Sequence, residues 1–280
     1  MTRALLLALS ILLLPGCSTV KLVYNNLDTL ANWAVDDAVD FTDDQETLFD
    51  AEFTALWMWH RETQLKRYAT DLRELATAVE RPMTALEVQT FSQHARMHAL
   101  ALYEAGLSRT AKILAILDDP QIEVLLEKTR EQRDEQAPPQ QTPEQRRERL
   151  VADMSRGLKS WIGKPTPEQR ARIAEWAAQH VDDPGRGQAF QQRWEVAFQT
   201  LMATRQQPGF EQRLDRHFDE IPEHRDPLAE RTATENRQRW FVLMSDLSSL
   251  LTPAQRAQFQ KRLRDLANDF EELAAETGAD

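Results

Sequence analysis

Thr142-Pro143-Glu144-Gln145-Arg146 is the stretch of sequence that decides the fold. The same five residues recur at 166–170, and 252–256 differs from them only in having Ala254 in place of the glutamate. Threonine is a preferred helix N-cap, proline suits the first helical position because no hydrogen bond is lost there, and glutamine at the third position completes a capping box. The repeat therefore predicts three helix starts, and Thr42-Asp43-Asp44-Gln45 predicts a fourth.

The composition predicts an all-α fold. The 280 residues include only 8 glycines, and alanine, leucine, glutamate, glutamine and arginine are abundant. These straight-chain residues and alanine lose little conformational entropy on entering a helix, whereas glycine disfavours it. Arginine after each capping glutamine is poorly placed against the helix dipole, so we expect it to face solvent or a partner carboxylate.

Two long helices are predicted in the first half of the chain. Apolar residues spaced by three and four predict a helix from Thr42 to about Glu80, which Arg81-Pro82 ends. A capping box at Thr84 starts the next helix, which continues to about Leu117. The tight turn between them predicts a long antiparallel helical hairpin.

A change in the spacing of helix-ending residues predicts the domain organisation. Residues 137–141, Ala-Pro-Pro-Gln-Gln, are the candidate linker. They separate an N-terminal hairpin region, 17–136, from a C-terminal bundle of shorter helices, 142–280. Whether the two regions form one domain or two is left open at this point.

Residues 1–16 have the organisation of a bacterial lipoprotein signal peptide. Arg3 precedes an apolar run, 4–14, that is shorter than the about 20 residues needed to span a bilayer. Leu14-Pro15-Gly16-Cys17 then resembles a lipobox, whose cysteine is lipidated and becomes the first mature residue. The alternative is an ordinary secretory signal that happens to contain a cysteine. Cys17 is the only cysteine, so the mature chain forms no internal disulfide.

The residues after Cys17 predict where the anchored protein lies. Residues 18–21 are expected to form a very short tether, so that folding begins almost at the membrane. By resemblance to enterobacterial sorting rules, Ser18 in place of an aspartate favours the outer membrane, with the body facing the periplasm. Several acyl chains would hold it there stably, since one alone binds reversibly.

The net charge of the mature chain limits the classes of molecule that it can bind. Without Arg3 the mature chain carries 33 basic and 45 acidic side chains, a net charge of −12. Such a surface repels nucleic acid and anionic head groups. The predicted partners are therefore the membrane, through the lipid, and an envelope protein.

Five residues in the first half form a candidate interaction surface: Asp36, Asp37, Trp59, His60 and Arg61. The acidic pair lies at a predicted helix C-terminus, where carboxylates oppose the helix dipole, and is either a hydrated end or a cation or partner contact. The aromatic and basic residues could bind a ligand by stacking. Because His60 falls in the apolar stripe, packing is the preferred interpretation.

His94 and His98 are the weak candidates for a metal site. Their spacing places two imidazoles on one helix face, which can bind a transition metal. Ala95 occupies the position of the glutamate found in zinc proteases, and spacing alone shows no third ligand. We therefore predict no metal and no cofactor.

The N-terminal half resembles a family of uncharacterised Gram-negative helical lipoproteins described only as a domain of unknown function. The resemblance rests on 22–28 (Leu-Val-Tyr-Asn-Asn-Leu-Asp), Val35-Asp36-Asp37, Trp59-His60-Arg61 and 65–75. It implies a helical lipoprotein and no activity. A weaker resemblance, to Spy- and CpxP-type periplasmic proteins with their Leu-Thr-x-x-Gln motif, rests on Leu251-Thr252-Pro253-Ala254-Gln255.

The sequence predicts a protein that is not an enzyme. It contains no glycine-rich phosphate loop, no Gly-x-Ser-x-Gly and no Cys–His pair. The leading hypothesis is a non-catalytic interaction protein of the cell envelope. The alternatives are a Spy-like holding chaperone and, last, an envelope hydrolase or metal-dependent enzyme.

Overall fold

The computed structural model describes residues 17–36, 38–136, 141–181, 184–219 and 227–276. Every regular element in these ranges is a helix, so the all-α prediction is confirmed. None of the helices described there has the length and apolar character needed to cross a bilayer. The signal peptide at 1–16 and most of the candidate linker lie outside the described residues.

The helices are, in chain order, α1 (Cys17–Asn25), α2 (Leu27–Asp36), α3 (Asp43–Trp59), a π-helical turn (His60–Gln64), α4 (Leu65–Ala78), α5 (Ala85–Ile116), α6 (Asp119–Gln136), α7 (Pro143–Ile162), α8 (Pro167–Gln179), α9 (Pro184–Met202), α10 (Phe210–Asp219), α11 (Pro227–Ser249) and α12 (Pro253–Ala275).

The predicted helix starts are confirmed. Each predicted start has a complete capping box. The threonine side chain accepts a hydrogen bond from the backbone amide of the third helical residue, and the side chain of that residue accepts one from the threonine amide. The five threonines are Thr42, Thr84, Thr142, Thr166 and Thr252. The arginines that follow the capping glutamines are exposed or half-buried, and each also donates to a backbone carbonyl. Arg146 donates to the carbonyl of Gln141 and Arg170 to that of Pro165, because a fourth-position guanidinium can reach back over the cap.

The glutamines of two of these capping boxes form hydrogen bonds with each other inside the protein. Gln169 is fully buried, and its amide donates to Gln255 Oε1 at 2.8 Å and to the Leu250 carbonyl at 3.0 Å. Gln255 donates in return to Gln169 Oε1 at 3.1 Å and to the Lys164 carbonyl at 3.2 Å. Each glutamine thus caps its own helix and fixes the start of the other, which locks α8 to α12.

The first half of the chain contains a similar pair of hydrogen-bonded glutamines. Gln45 at the start of α3 donates to Gln121 Oε1 at 2.9 Å and to the Ile116 carbonyl at 3.0 Å. Gln121, whose own capping box uses Asp118, donates to the Asp40 carbonyl at 2.7 Å. These amide pairs satisfy backbone groups that helix ends leave unpaired.

The hydrophobic core crosses the position of the candidate linker. Ala76, Val79 and Met83 pack with Phe241 and Leu263, which belong to α11 and α12. Polar contacts reinforce this packing, because side chains of α12 donate to the last carbonyls of the α4 segment. The long hairpin predicted for 17–136 therefore does not bury its apolar face alone, since α12 lies along α4.

The N-terminal segment is part of the folded body. Val20 and Tyr24, one turn apart on α1, are both buried, and Tyr24 packs with Leu65 and Leu273. Lys21 also pairs with Glu272 near the end of α12. The prediction of a tether at 18–21 is wrong, because these residues continue the helix that begins at Cys17 and places Val20 and Tyr24 against the core.

Candidate functional site

A π-helical turn interrupts the long helix formed by α3 and α4. The amide of Leu65 donates to the carbonyl of His60, five residues back, so the turn holds one residue more than an α-helical turn. The insertion turns Arg61 and Gln64 inward, and their exposed fractions are only 8% and 2%. Single π turns inside α-helices are frequent at functional sites, so this one directs attention to its surroundings.

His60 lies between two tyrosines. Its Nδ1 is 2.8 Å from the hydroxyl of Tyr24, and its Nε2 is 3.2 Å from the hydroxyl of Tyr68. Burial lowers the pKa of His60 from 6.5 to about 4 and raises that of Tyr68 to about 12. Burial also raises the pKa of Tyr24. All three groups are therefore neutral at pH 7, and the imidazole donates one hydrogen bond and accepts the other.

Arg61 brings a positive charge into this neutral network. Its guanidinium carbon lies 4.7 Å from the ring centre of Trp57 and 5.4 Å from that of Tyr24. It donates to the side-chain oxygen of Asn25, and Glu276 lies 3.6 Å away. Cation–π contacts and the carboxylate at the end of α12 thus balance the buried charge.

The structure places the predicted interaction residues in different surroundings. Arg61 is buried, so its guanidinium serves packing rather than an exposed contact. His60 lies inside the tyrosine network, and Trp59 is partly exposed with its ring 6.5 Å from that of His60. Asp37 and the side chain of Asp36 lie outside the described residues. The preferred interpretation of His60 and Arg61 as packing residues agrees with these contacts.

A second polar cluster continues from the first. Asp71 on α4 lies between the two histidines of α5, with Oδ1 3.2 Å from His94 Nδ1 and Oδ2 2.5 Å from His98 Nε2. Tyr68 connects the two clusters, because its ring packs edge-on against that of His98 at a centroid distance of 4.6 Å. Ligand-capable atoms of Asp71, Glu74 and His94 all lie within 4.8 Å of one another.

The carboxylate of Asp71 beside the two histidines could not be found from the spacing of residues in the sequence. Asp71 is 23 residues before His94, and only the packing of α4 against α5 brings them together. The available signal was the hairpin predicted from the sequence. Two helices that leave a tight turn in opposite directions place residues at similar distances from the turn side by side, and Asp71 and His94 meet that condition.

Exposed apolar side chains lie on α5 beside this cluster, with the exposed polar residues Gln93 and Glu104 next to them. Ala95, Arg96, Met97, Ala99 and Leu100 are exposed, and the exposed fractions of Met97 and Leu100 are 57% and 45%. Arg96 is the single charged residue of this set. We call these five residues the α5 face.

Comparison with known proteins gives one match. The model of a family described as a "Family of unknown function (DUF6279)" matches residues 37–225, more than half of the chain. The expected resemblance to a family of unknown function is confirmed, although the match begins beyond the 22–28 motif. No curated protein and no solved structure matches the chain. The weaker resemblance to Spy- and CpxP-type proteins receives no support from the comparisons.

Proposed function

Because the chain belongs to this family of unknown function, whose description carries no activity, we propose a role from its own residues. In this proposal the protein is a lipid-anchored envelope protein that binds a protein partner and does not catalyse a reaction. Acyl chains on Cys17 hold it in the membrane, and its helical body faces the periplasm. Ser18, by its resemblance to sorting signals, favours the outer membrane.

The start of α1 supports this anchoring. Cys17 is part of α1, Cys17–Asn25, whose buried Val20 and Tyr24 attach it to the core near the end of α12. A lipid on Cys17 would therefore be joined to the body without a spacer. Leu22 on α1 and Trp33 on α2 are 66% and 64% exposed, and such side chains near an anchor suit the membrane interface.

The α5 face is the observation that carries the binding role. Exposed apolar side chains grouped together and rimmed by polar ones, as Met97 and Leu100 are by Gln93 and Glu104, are typical of interaction sites. Its partner is an apolar protein surface, such as the apolar stripe of another helix. The net charge of −12 of the mature chain adds solubility but little affinity for such a partner.

Site-specific photo-crosslinking in living cells tests this role. A photoreactive amino acid in place of Leu100 is expected to give one discrete adduct with an envelope protein. The matched control replaces Arg156 on α7, whose side chain is 77% exposed, and is expected to give none.

Two outcomes would contradict the proposal. The first is the absence of any adduct at Leu100, or a yield equal to that at Arg156. The second is a smear of adducts with many unrelated proteins, which would favour the holding chaperone over a single partner.

A further inference from the structure

We propose that Asp71, Glu74 and His94 form a binding site for a divalent transition-metal ion, with Zn²⁺ as the preferred ion. His98 acts as a positioning residue that holds Asp71. The site lies where α4 packs against α5, and nothing in this inference depends on the lipid anchor or on the α5 face.

The spacing of the ligand atoms supports the site. Zinc bonds to nitrogen and oxygen are about 2.0–2.2 Å long, so neighbouring ligand atoms around a tetrahedral ion lie about 3.3 Å apart. Asp71 Oδ1 and His94 Nδ1 are separated by 3.2 Å, and the ligand atoms of Asp71, Glu74 and His94 all fall within 4.8 Å. Because the Glu74 side chain is exposed, it is free to rotate and bring its carboxylate to the same ion.

His98 fixes the orientation of the aspartate. Its Nε2 lies 2.5 Å from Asp71 Oδ2, whereas His94 contacts the other carboxylate oxygen, Oδ1. The edge-on ring of Tyr68 holds the imidazole in place, and Tyr68 is itself fixed by His60. Partners of this kind orient a ligand and typically change metal affinity by 10–100-fold when removed.

The donor set selects the class of ion. One imidazole nitrogen and two carboxylates suit a borderline ion such as Zn²⁺, whereas Mg²⁺ prefers oxygen and water. The exposure of Glu74 leaves one side of the site open to solvent, so three protein ligands and a water complete four-coordination.

Calorimetric titration of the full mature chain tests the proposal. The chain is purified from whichever cell fraction contains it, with detergent where that fraction is the membrane, and freed of any affinity tag, because a histidine tag binds the same ions. We expect one equivalent of Zn²⁺ to bind and Mg²⁺ not to bind. His94→Gln and Glu74→Gln are each expected to weaken Zn²⁺ binding by at least about 100-fold, and His98→Gln by about 10–100-fold.

Two controls keep the outcome decisive. His180→Gln changes a histidine that packs against Trp176 in another part of the core, and it is expected to leave zinc affinity unchanged. Glu74 is exposed, so its replacement by glutamine retains the fold even if His94→Gln does not. A chain that binds no stoichiometric Zn²⁺, or a Glu74→Gln variant that binds as tightly as the parent, would overturn the assignment.

Discussion

Replacing Tyr24 with alanine is expected to lower the free energy of unfolding by about 4 kcal/mol, the largest effect that we predict for a single side chain. Tyr24 is 6% exposed and packs with Leu65 and Leu273, so its removal leaves a cavity in the core. It also leaves Nδ1 of His60 without its hydroxyl partner, whereas Nε2 keeps its contact with Tyr68. Chemical unfolding followed by circular dichroism measures the loss.

Two matched variants separate the causes. Tyr24→Phe keeps the ring and removes only the hydroxyl at His60, so we expect a loss of about 1 kcal/mol. Leu22→Ala changes a 66% exposed side chain on the same helix and is expected to cost less than about 0.5 kcal/mol. If Tyr24→Ala cost no more than Leu22→Ala, α1 would not be part of the folded body.

Gln169→Ala is expected to lower the free energy of unfolding by about 3 kcal/mol. The substitution removes the half of the α8 capping box in which the Gln169 side chain accepts from the Thr166 amide, and a helix cap is worth about 1 kcal/mol. It also removes the donor to the Leu250 carbonyl and both hydrogen bonds between Gln169 and Gln255, whose amide keeps only its bond to the Lys164 carbonyl. A buried polar group left unsatisfied costs about 1–3 kcal/mol. The same unfolding measurement reports the change.

The sequence provides an unusually close control for this prediction. Gln145 occupies the same position in an identical Thr-Pro-Glu-Gln-Arg motif, with the same capping box, but its side chain is exposed. Gln145→Ala is expected to cost about 1 kcal/mol or less. Equal losses at the two positions would show that the Gln169–Gln255 pair adds nothing to ordinary capping.

The helices could be predicted from local chemistry. A capping box fixes a helix start within a few residues, and Arg81-Pro82 ends α4 because proline restricts the residue before it. For this reason the predicted start of α5 at Thr84 agrees with the structure. The fold class follows from such local signals, since no described segment depends on pairing with a distant strand.

The features that position the site could not be predicted in the same way. The π turn at His60–Gln64 has no local signal in these residues, because it depends on burying Arg61 and Gln64 against other helices. The contacts of Asp71 with His94 and His98, like those of Gln169 with Gln255, join residues far apart in the chain. Their geometry depends on how helices pack, which periodicity alone does not determine.

The role of Cys17 is the central claim, and subcellular fractionation of a Cys17→Ser variant tests it most directly. The parent chain should remain with membranes after a high-salt wash and be released only by detergent. Because no other anchor is proposed, Cys17→Ser should appear in the soluble periplasmic fraction with its helical circular dichroism unchanged. A Cys17→Ser protein that stays with salt-washed membranes would contradict the account.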